Sequence, residues 1–171
     1  MKALYALAIA GLASGLCLLL IVVLAGRDSS QVESGAAAGP GVLEPDRGSG
    51  RTAGAGASPA DRPPTSGPHR AEPVQADRTV LSDDQILEAL ALGNVVIAYE
   101  GEAPAAVQEE VSGPFDPELA AAGQAVILAR RPGVGPPQAL AWRRRLVASG
   151  PEDPRLREFA EAWLGQGAPS G

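Results

Sequence analysis

The chain has 171 residues, and its 21 glycines and 16 prolines exceed the roughly one eighth that these types make up in average proteins. A long apolar run at the N-terminus, a middle rich in glycine, alanine and proline, and a denser C-terminal part exclude one uniform soluble domain. The formal net charge of −6 disfavours a nucleic-acid partner, because that binding depends on cationic contacts to phosphates.

Residues 1–26 are predicted to be an N-terminal transmembrane anchor. Residues 3–25 carry no charge, and only Gly11, Ser14 and Gly15 interrupt their apolar side chains. As a helix this stretch would be about 34 Å long, enough for the roughly 30 Å hydrocarbon core of a bilayer. The lipid bilayer is therefore a predicted partner, through residues 3–25.

Two other interpretations of this segment stay open. The Val-Leu-Ala sequence at 23–25, ahead of Gly26, fits the cleavage site of a signal peptide, which would give a secreted protein. A lipoprotein would need a small residue before Cys17, and Leu16 is not small. Because Cys17 is the only cysteine, an intramolecular disulfide, a CxxC pair and a cysteine-based zinc site are excluded.

The charges that flank the apolar run predict its orientation. Lys2 and the α-amino group precede the run and Arg27 follows it, which by the positive-inside rule favours a cytoplasmic N-terminus. We therefore expect a single-pass protein of the cell membrane whose C-terminal domain lies outside the cytoplasm.

Residues 27–61 are predicted to be a disordered tether. They are dominated by Gly, Ala, Ser and Pro, and their only larger aliphatic side chains are Val32, Val42 and Leu43. Such a stretch cannot bury enough apolar area to offset the entropy lost on ordering. A Gly-rich coil of this length has an r.m.s. reach of roughly 30–35 Å, so it would keep a domain near the membrane.

Residues 62–167 are predicted to form the folded domain, followed by a short tail at 168–171. The sequence Ser-Asp-Asp-Gln at 82–85 is a capping box with acidic residues in the first helical turn. It predicts a helix over 83–92, which Gly93 ends.

Two buried strands and a helical crossover come next. Residues 95–99 and 125–129 are continuous apolar runs, which are typical of strands covered on both faces. Between them, helical segments are predicted over 104–111 and from Asp116-Pro117 to Gly123. A crossover of this length indicates a parallel, right-handed βαβ unit.

A third strand and a terminal helix complete the predicted domain. Residues 138–148 are expected to form one strand, antiparallel to the second. Asp153 and Pro154 begin a helix whose apolar residues recur at helical spacing up to Leu164. The predicted fold class is α+β, a small α/β sandwich with a three-stranded mixed sheet in a β-α-β-β-α core, preceded by one transmembrane helix and a disordered linker.

One short motif, Pro-Pro-Thr-Ser-Gly-Pro-His at 63–69, lies ahead of this core. Together with the sequences at 90–99, at Ala141-Trp142 and at 164–169, it makes the chain resemble DUF3105, a bacterial family of unknown function. Members of that family share the layout of a membrane segment, a low-complexity tether and a domain. The resemblance covers residues 62–169 and implies that the domain begins near Arg62.

The resemblance also implies a histidine site that this chain has largely lost. Family members typically carry two further histidines just before the first strand, and three imidazoles could converge on a metal ion. At those two positions this chain has Glu88 and Leu92. His69 is at most the one remaining histidine ligand, with Glu88 as a candidate oxygen ligand. We therefore expect a divergent member with no cofactor, although a metal ion stays open.

The candidate site residues are those of the motif together with one glutamate of the predicted helix. His69, the only histidine, could be a ligand or a general base in a pocket formed by the Pro-rich segment. We favour a turn histidine that is solvated or bonded to a carbonyl, since no second histidine, cysteine or triad accompanies it. The candidates are His69, Pro63, Pro64, Ser66, Gly67 and Glu88.

A run of three arginines at 143–145 could bind an anionic headgroup or a phosphate. Consecutive strand residues point to opposite faces, so the three cannot all reach one ligand. We favour an edge strand that its arginines protect from aggregation.

The residues show no catalytic constellation, and we predict that the protein is not an enzyme. The leading hypothesis is a membrane-anchored extracytoplasmic domain, a non-catalytic binding module that interacts with an unknown protein of the cell envelope. The alternative is a metal-binding or metal-dependent redox protein whose histidine site is degenerate here. A thioredoxin-like remnant fits the strand order, but it lacks the cysteine pair needed for thiol exchange.

Overall fold

A computed structural model describes residues 39–53 and 62–169 of the chain. The predicted membrane span at 3–25 lies outside these ranges, and within them no helix is both long and apolar enough to cross a bilayer. The described helices are α1 (Asp83–Leu92), α2 (Ala105–Val111), α3 (Pro117–Ala121) and α4 (Pro154–Trp163). The described strands are β1 (Val42–Leu43), β2 (Thr79–Val80), β3 (Val95–Tyr99), β4 (Val126–Arg130), β5 (Gln138–Ala141) and β6 (Arg144–Val147).

The strands form one mixed sheet in the order β1-β6-β5-β3-β4-β2. The predicted three-stranded sheet is therefore wrong, because the described residues contribute six strands to it. Strands β1 and β2 have only two residues each, too few to leave an alternating apolar pattern in the sequence. The predicted parallel pair is confirmed: β3 runs parallel to β4, with Val95 opposite Val126 and Tyr99 opposite Arg130.

The predicted third strand is a hairpin rather than one strand. Strands β5 and β6 pair antiparallel on either side of a turn at Trp142-Arg143, where Arg143 has a φ of 59°. Strand β5 pairs with β3, not with β4 as predicted, because β2 occupies the other side of β4. The described residues contain no cysteine, so they offer no thiol for the exchange that the thioredoxin-like option would need.

Helices cover both faces of the central strand β3, whose five residues are all buried. Since side chains alternate along a strand, Val96 and Ala98 pack with α1 in one apolar layer. Val95 and Ile97 pack in the opposite layer, together with Phe159 and other residues of α2 and α4. The domain thus has three layers, with the sheet between two pairs of helices.

Helix α1 begins with the predicted capping box. The Ser82 hydroxyl accepts a hydrogen bond from the Gln85 backbone N–H, and the Gln85 side chain accepts one from Ser82 N–H. Gly93 ends the helix with a φ of 112°, a conformation that costs glycine little. The two caps define the limits of α1 and thereby which of its residues face the motif at 63–69.

Residues 40–53, which we call the N-terminal strap, lie against the domain. Strand β1 of the strap pairs antiparallel with β6, and the indole N–H of Trp163 donates to the Pro40 carbonyl over 2.9 Å. The predicted disordered linker is therefore corrected over these residues. Main-chain hydrogen bonds and polar side-chain contacts hold the strap. Contacts of these kinds need no hydrophobic pattern in the sequence.

Gly41 lets the strap approach the sheet closely. It has a φ of +87°, and a Cβ atom there would lie 2.7 Å from a ring carbon of Phe159 and 2.8 Å from the Arg145 carbonyl oxygen. Only glycine fits without displacing one of these groups.

Candidate functional site

The motif at 63–69 is packed between the strap, helix α1 and the turn of the β5–β6 hairpin. The Arg143 N–H donates to the Thr65 carbonyl over 2.8 Å, which joins the motif to the hairpin. On the strap side, Thr52 N–H donates to the His69 carbonyl and His69 N–H donates to the Gly50 carbonyl. The motif is therefore part of the domain, although it has no regular secondary structure.

His69 is fully buried, with no exposed surface. Its Nδ1 lies 2.9 Å from the Gly67 carbonyl oxygen, and its Nε2 lies 3.1 Å from Oε2 of Glu88. Because a carbonyl oxygen only accepts, Nδ1 is the donor to Gly67, and Nε2 is left to face the carboxylate of Glu88. The ring also packs at 57° to the Trp142 ring, with 6.4 Å between centroids.

Arg51 of the strap forms two hydrogen bonds with the carboxylate of Glu88. Its Nε donates to Oε2 over 3.1 Å and its terminal nitrogen donates to Oε1 over 2.6 Å. The hydrogen bonds from Arg51, and then its charge pairing with Glu88, raise the pKa of the Arg51 guanidinium. Arg51, Glu88 and His69 form what we call the closed cluster, since both carboxylate oxygens and both imidazole nitrogens have protein partners.

One edge of α1 holds the end of the motif. Glu88 lies one turn after Asp84, whose Oδ1 accepts a hydrogen bond from the Arg70 N–H over 3.0 Å. Asp83 points elsewhere and pairs with Arg131 at 2.5 Å. The three acidic residues of this helix therefore do not converge on one point.

The closed cluster does not suit a metal ion. Among residues 39–53 and 62–169, no group of three or more His, Cys, Asp or Glu side chains is placed to hold one. His69 and Glu88 come together as the resemblance implied, but their third neighbour is the cation Arg51. A guanidinium occupies the carboxylate oxygens that a metal would need, and its charge repels a second cation.

A second cluster surrounds Arg145, which is buried on β6. Its Nε donates to Oε1 of Glu44 over 2.8 Å, and one terminal nitrogen donates to Oε2 of Glu44 over 3.2 Å and to the Pro63 carbonyl over 2.6 Å. The other terminal nitrogen donates to Gln138 over 2.6 Å. Sequence reasoning missed this cluster. The signal available was an arginine in a strand, which must find a partner when it is buried.

The arginines of β6 occupy opposite faces, as their alternation predicts. Arg144 lies over the indole ring of Trp163, 4.5 Å from its centroid, while Arg145 faces Glu44. The predicted edge strand is corrected, however, because β1 covers β6 and takes the edge position. The arginines of β6 are therefore paired inside the fold.

A small cavity of about 70 Å³ opens beside Arg145 and the start of the motif. Burial raises the pKa of the Glu44 carboxyl, but hydrogen bonds from Arg145 and Thr65 and the charges of Arg145 and Arg62 outweigh it, so the pKa is lowered. Glu44 is therefore ionised at neutral pH. The residues that line the cavity are Glu44, Pro45, Arg47, Arg62, Pro63, Pro64, Thr65, Ser66 and Arg145.

The structure thus divides the predicted site residues into two groups. His69, Glu88 and the Gly67 carbonyl belong to the closed cluster. Pro63, Pro64 and Ser66 line the cavity, where the Ser66 hydroxyl accepts from the Arg47 N–H and donates to the Pro45 carbonyl.

Comparison with known proteins places the chain in one family. A family model described as Protein of unknown function (DUF3105) matches residues 57–170, and the chain belongs to this family. No curated protein and no solved structure matches the chain. The expected resemblance is confirmed, and the matched region begins after the N-terminal strap.

Proposed function

We propose that this DUF3105 member is a non-catalytic interaction module of the cell envelope. In this proposal residues 3–25 anchor the chain in the membrane, and the domain binds an envelope protein outside the cytoplasm. The observation that carries it is the closed cluster, in which the only histidine serves the fold instead of facing a substrate.

The enclosure of His69 argues against acid–base chemistry at this residue. A general base must come within about 2.6–3.2 Å of the proton that it removes. Both nitrogens of His69 are engaged by Gly67 and Glu88, and no surface of the residue is exposed. Glu88 is buried and is held by Arg51, so it offers no open carboxylate either.

The margin of the sheet at β1 supports the binding role. Val42 is 70% exposed and Val147 is 50% exposed. Val42 lies opposite Arg145, two residues before Val147, so the two valines share one face. Among the described residues β1 is also the last strand on this side, and an outer strand can pair with an extended segment of a partner.

Site-specific photo-crosslinking in cells tests the binding role. A photoreactive residue at Val42 or Val147 of the full chain is expected to give the same discrete adduct. The matched control is Glu158, an exposed position on α4 in the opposite layer, which is expected to give no such adduct. No adduct at either valine, or equal labelling at all three positions, would contradict the proposal.

Two further measurements test the anchor and the metal alternative. Protease added to intact spheroplasts is expected to digest the domain, and full protection would contradict an extracytoplasmic location.

Titration of the full chain with Zn²⁺ or Cu²⁺ is expected to show no tight site. Tight binding that both His69→Ala and Glu88→Gln abolish, in variants that still unfold cooperatively, would replace the proposal with the metal-binding alternative.

A further inference from the structure

The cavity beside the motif at 63–69 carries an excess of positive charge. Arg47, Arg62 and Arg145 line it together with one acidic residue, Glu44. Three guanidinium groups and one carboxylate leave two positive charges uncompensated. Arg143, on the adjoining turn, is 3.5 Å from Asp46, so this neighbouring pair cancels its own charge. A net positive cavity stands out in a chain whose formal charge is −6.

We infer that this cavity is a binding site for a phosphate group. A phosphate carries about −1.5 to −2 charges at neutral pH, which matches the two uncompensated arginines. Guanidinium groups bind phosphate oxygens in bidentate pairs, and these are among the stronger hydrogen bonds in proteins. The inference goes beyond the proposed function, since it requires neither the membrane span nor a protein partner.

The arginines divide into one that builds the site and two that can bind. Arg145 donates hydrogen bonds to Glu44, Pro63 and Gln138. It therefore neutralises Glu44 and holds one wall of the cavity in place. Within the described part of the chain, Arg62 makes a single ion pair, 3.2 Å from its terminal nitrogen to Oε1 of Glu44. A guanidinium has five N–H donors, so Arg62 keeps several for an anion.

Arg47 is the second binding group. Its backbone N–H donates to the Ser66 hydroxyl over 3.2 Å, which fixes the main chain at the cavity. Its guanidinium makes no ion pair or hydrogen bond with the residues that the structure describes. The fixed backbone holds Arg47 beside the cavity, and its guanidinium has donors available for an anion.

The size of the cavity suits a single phosphate. A cavity needs about 10–15 Å³ of this volume to hold one water molecule, so a cavity of about 70 Å³ has room for a small ion such as phosphate. The buried motif supplies rigid walls, because Pro63 and Pro64 have fixed φ angles.

The test is a titration of the full chain in micelles of an uncharged detergent, followed by calorimetry. One probe is inorganic phosphate, and the other is glycerol 3-phosphate, a phosphate monoester that is the headgroup of an anionic lipid. Arg47→Ala and Arg62→Ala are each expected to weaken binding about 10- to 100-fold, as loss of a charge-assisted hydrogen bond implies. The matched control is Arg157→Ala, an exposed arginine on α4 paired with Glu110, and it is expected to leave the Kd unchanged.

The outcomes separate the source of the phosphate from the existence of the site. Tight binding of inorganic phosphate alone supports a site for the free ion, and binding of both probes through the same two arginines supports a lipid headgroup. Binding should weaken as salt is added, because the arginines are partly exposed. No binding of either probe, or an equal loss in Arg157→Ala, overturns the inference and leaves the crosslinking test of the proposed function unaffected.

Discussion

The closed cluster and the Arg145 cluster hold the same strap, but with opposite polarity. At the closed cluster the strap supplies the cation, Arg51, and the domain supplies the carboxylate, Glu88. At the other cluster the strap supplies the carboxylate, Glu44, and the domain supplies the cation, Arg145. In each pair the side chain of the domain is the more buried one: 7% exposed for Glu88 against 58%, and 6% for Arg145 against 15%.

The two clusters differ in how their charges are satisfied. At the closed cluster the carboxylate has two partners, Arg51 and His69, and both carboxylate oxygens and both imidazole nitrogens are bonded within the protein. At the Arg145 cluster the pair with Glu44 is satisfied, but Arg47 and Arg62 remain beside a cavity. The same type of Arg–Glu pair therefore has a structural role at the closed cluster and lies beside a binding surface at the Arg145 cluster.

The largest expected effect comes from breaking the Arg145 cluster. Arg145→Met leaves Glu44 and the Pro63 carbonyl without their main donor, and removal of one partner of a buried ion pair costs about 3–5 kcal/mol. Urea unfolding of the full chain in detergent measures the loss. Arg130→Ala, at an exposed arginine, is the control and should change the free energy of unfolding by no more than about 0.5 kcal/mol. Equal losses in both variants would contradict a buried, structural Arg145.

Breaking the closed cluster should cost less. Glu88→Gln keeps the volume of the side chain but removes its charge from Arg51 and His69, for an expected loss of about 1–3 kcal/mol. Arg51→Ala should cost about 1 kcal/mol or less, because this side chain is 58% exposed. A double-mutant cycle should give a coupling energy of at least about 0.5 kcal/mol. Strict additivity of the two losses would show that the cluster is not coupled.

Acid should act on the Arg145 cluster through Glu44. The pKa of Glu44 is lowered in the fold, so its stabilisation is present above the unfolded value of about 4.3 and is lost as pH falls through the folded value. The difference in melting temperature between wild type and Glu44→Gln should therefore shrink from pH 7 toward about pH 3. Asp153→Asn is a positive control, because hydrogen bonds from Arg155 and Ser149 lower the pKa of Asp153 as well. A constant difference across this range would contradict the predicted linkage.

The smallest expected effect concerns the ring beside the closed cluster. Trp142 is 7% exposed, and its indole N–H is the one buried side-chain polar atom without a partner among the described residues. Trp142→Phe removes this unsatisfied donor but also some packing volume, and the two effects oppose each other. Thermal unfolding should show a net change below about 1 kcal/mol. A much larger loss would show that the N–H has a partner in solution.

Local signals in the sequence were enough for the central elements. The capping box placed α1 over 83–92, and the continuous apolar run placed β3 over 95–99, as the structure has them. The hairpin was missed because Arg143 adopts a positive φ without a glycine or asparagine to mark the turn. Strands β1 and β2 were missed because two residues carry no periodicity.

The candidate site was only half accessible to sequence reasoning. His69 and Glu88 were found through the family motif, and the structure brings them within 3.1 Å. Their partner Arg51 lies 37 positions before Glu88, and Glu44 lies 101 positions before Arg145. Contacts over such separations depend on the path of the chain, and a strap rich in glycine and proline gives no local indication of that path.

The alternation of the two buried arginines also fixes the alignment of the β5–β6 hairpin. A slip of β6 by one residue would exchange its two faces, so that Arg145 would leave Glu44 and enter the layer of Phe159. The same slip would turn Leu146 out of that apolar layer. The slip would thus take the arginine away from Glu44 and take a leucine out of the apolar layer. Arg144 and Arg145 therefore select one register for a hairpin whose turn residues specify none.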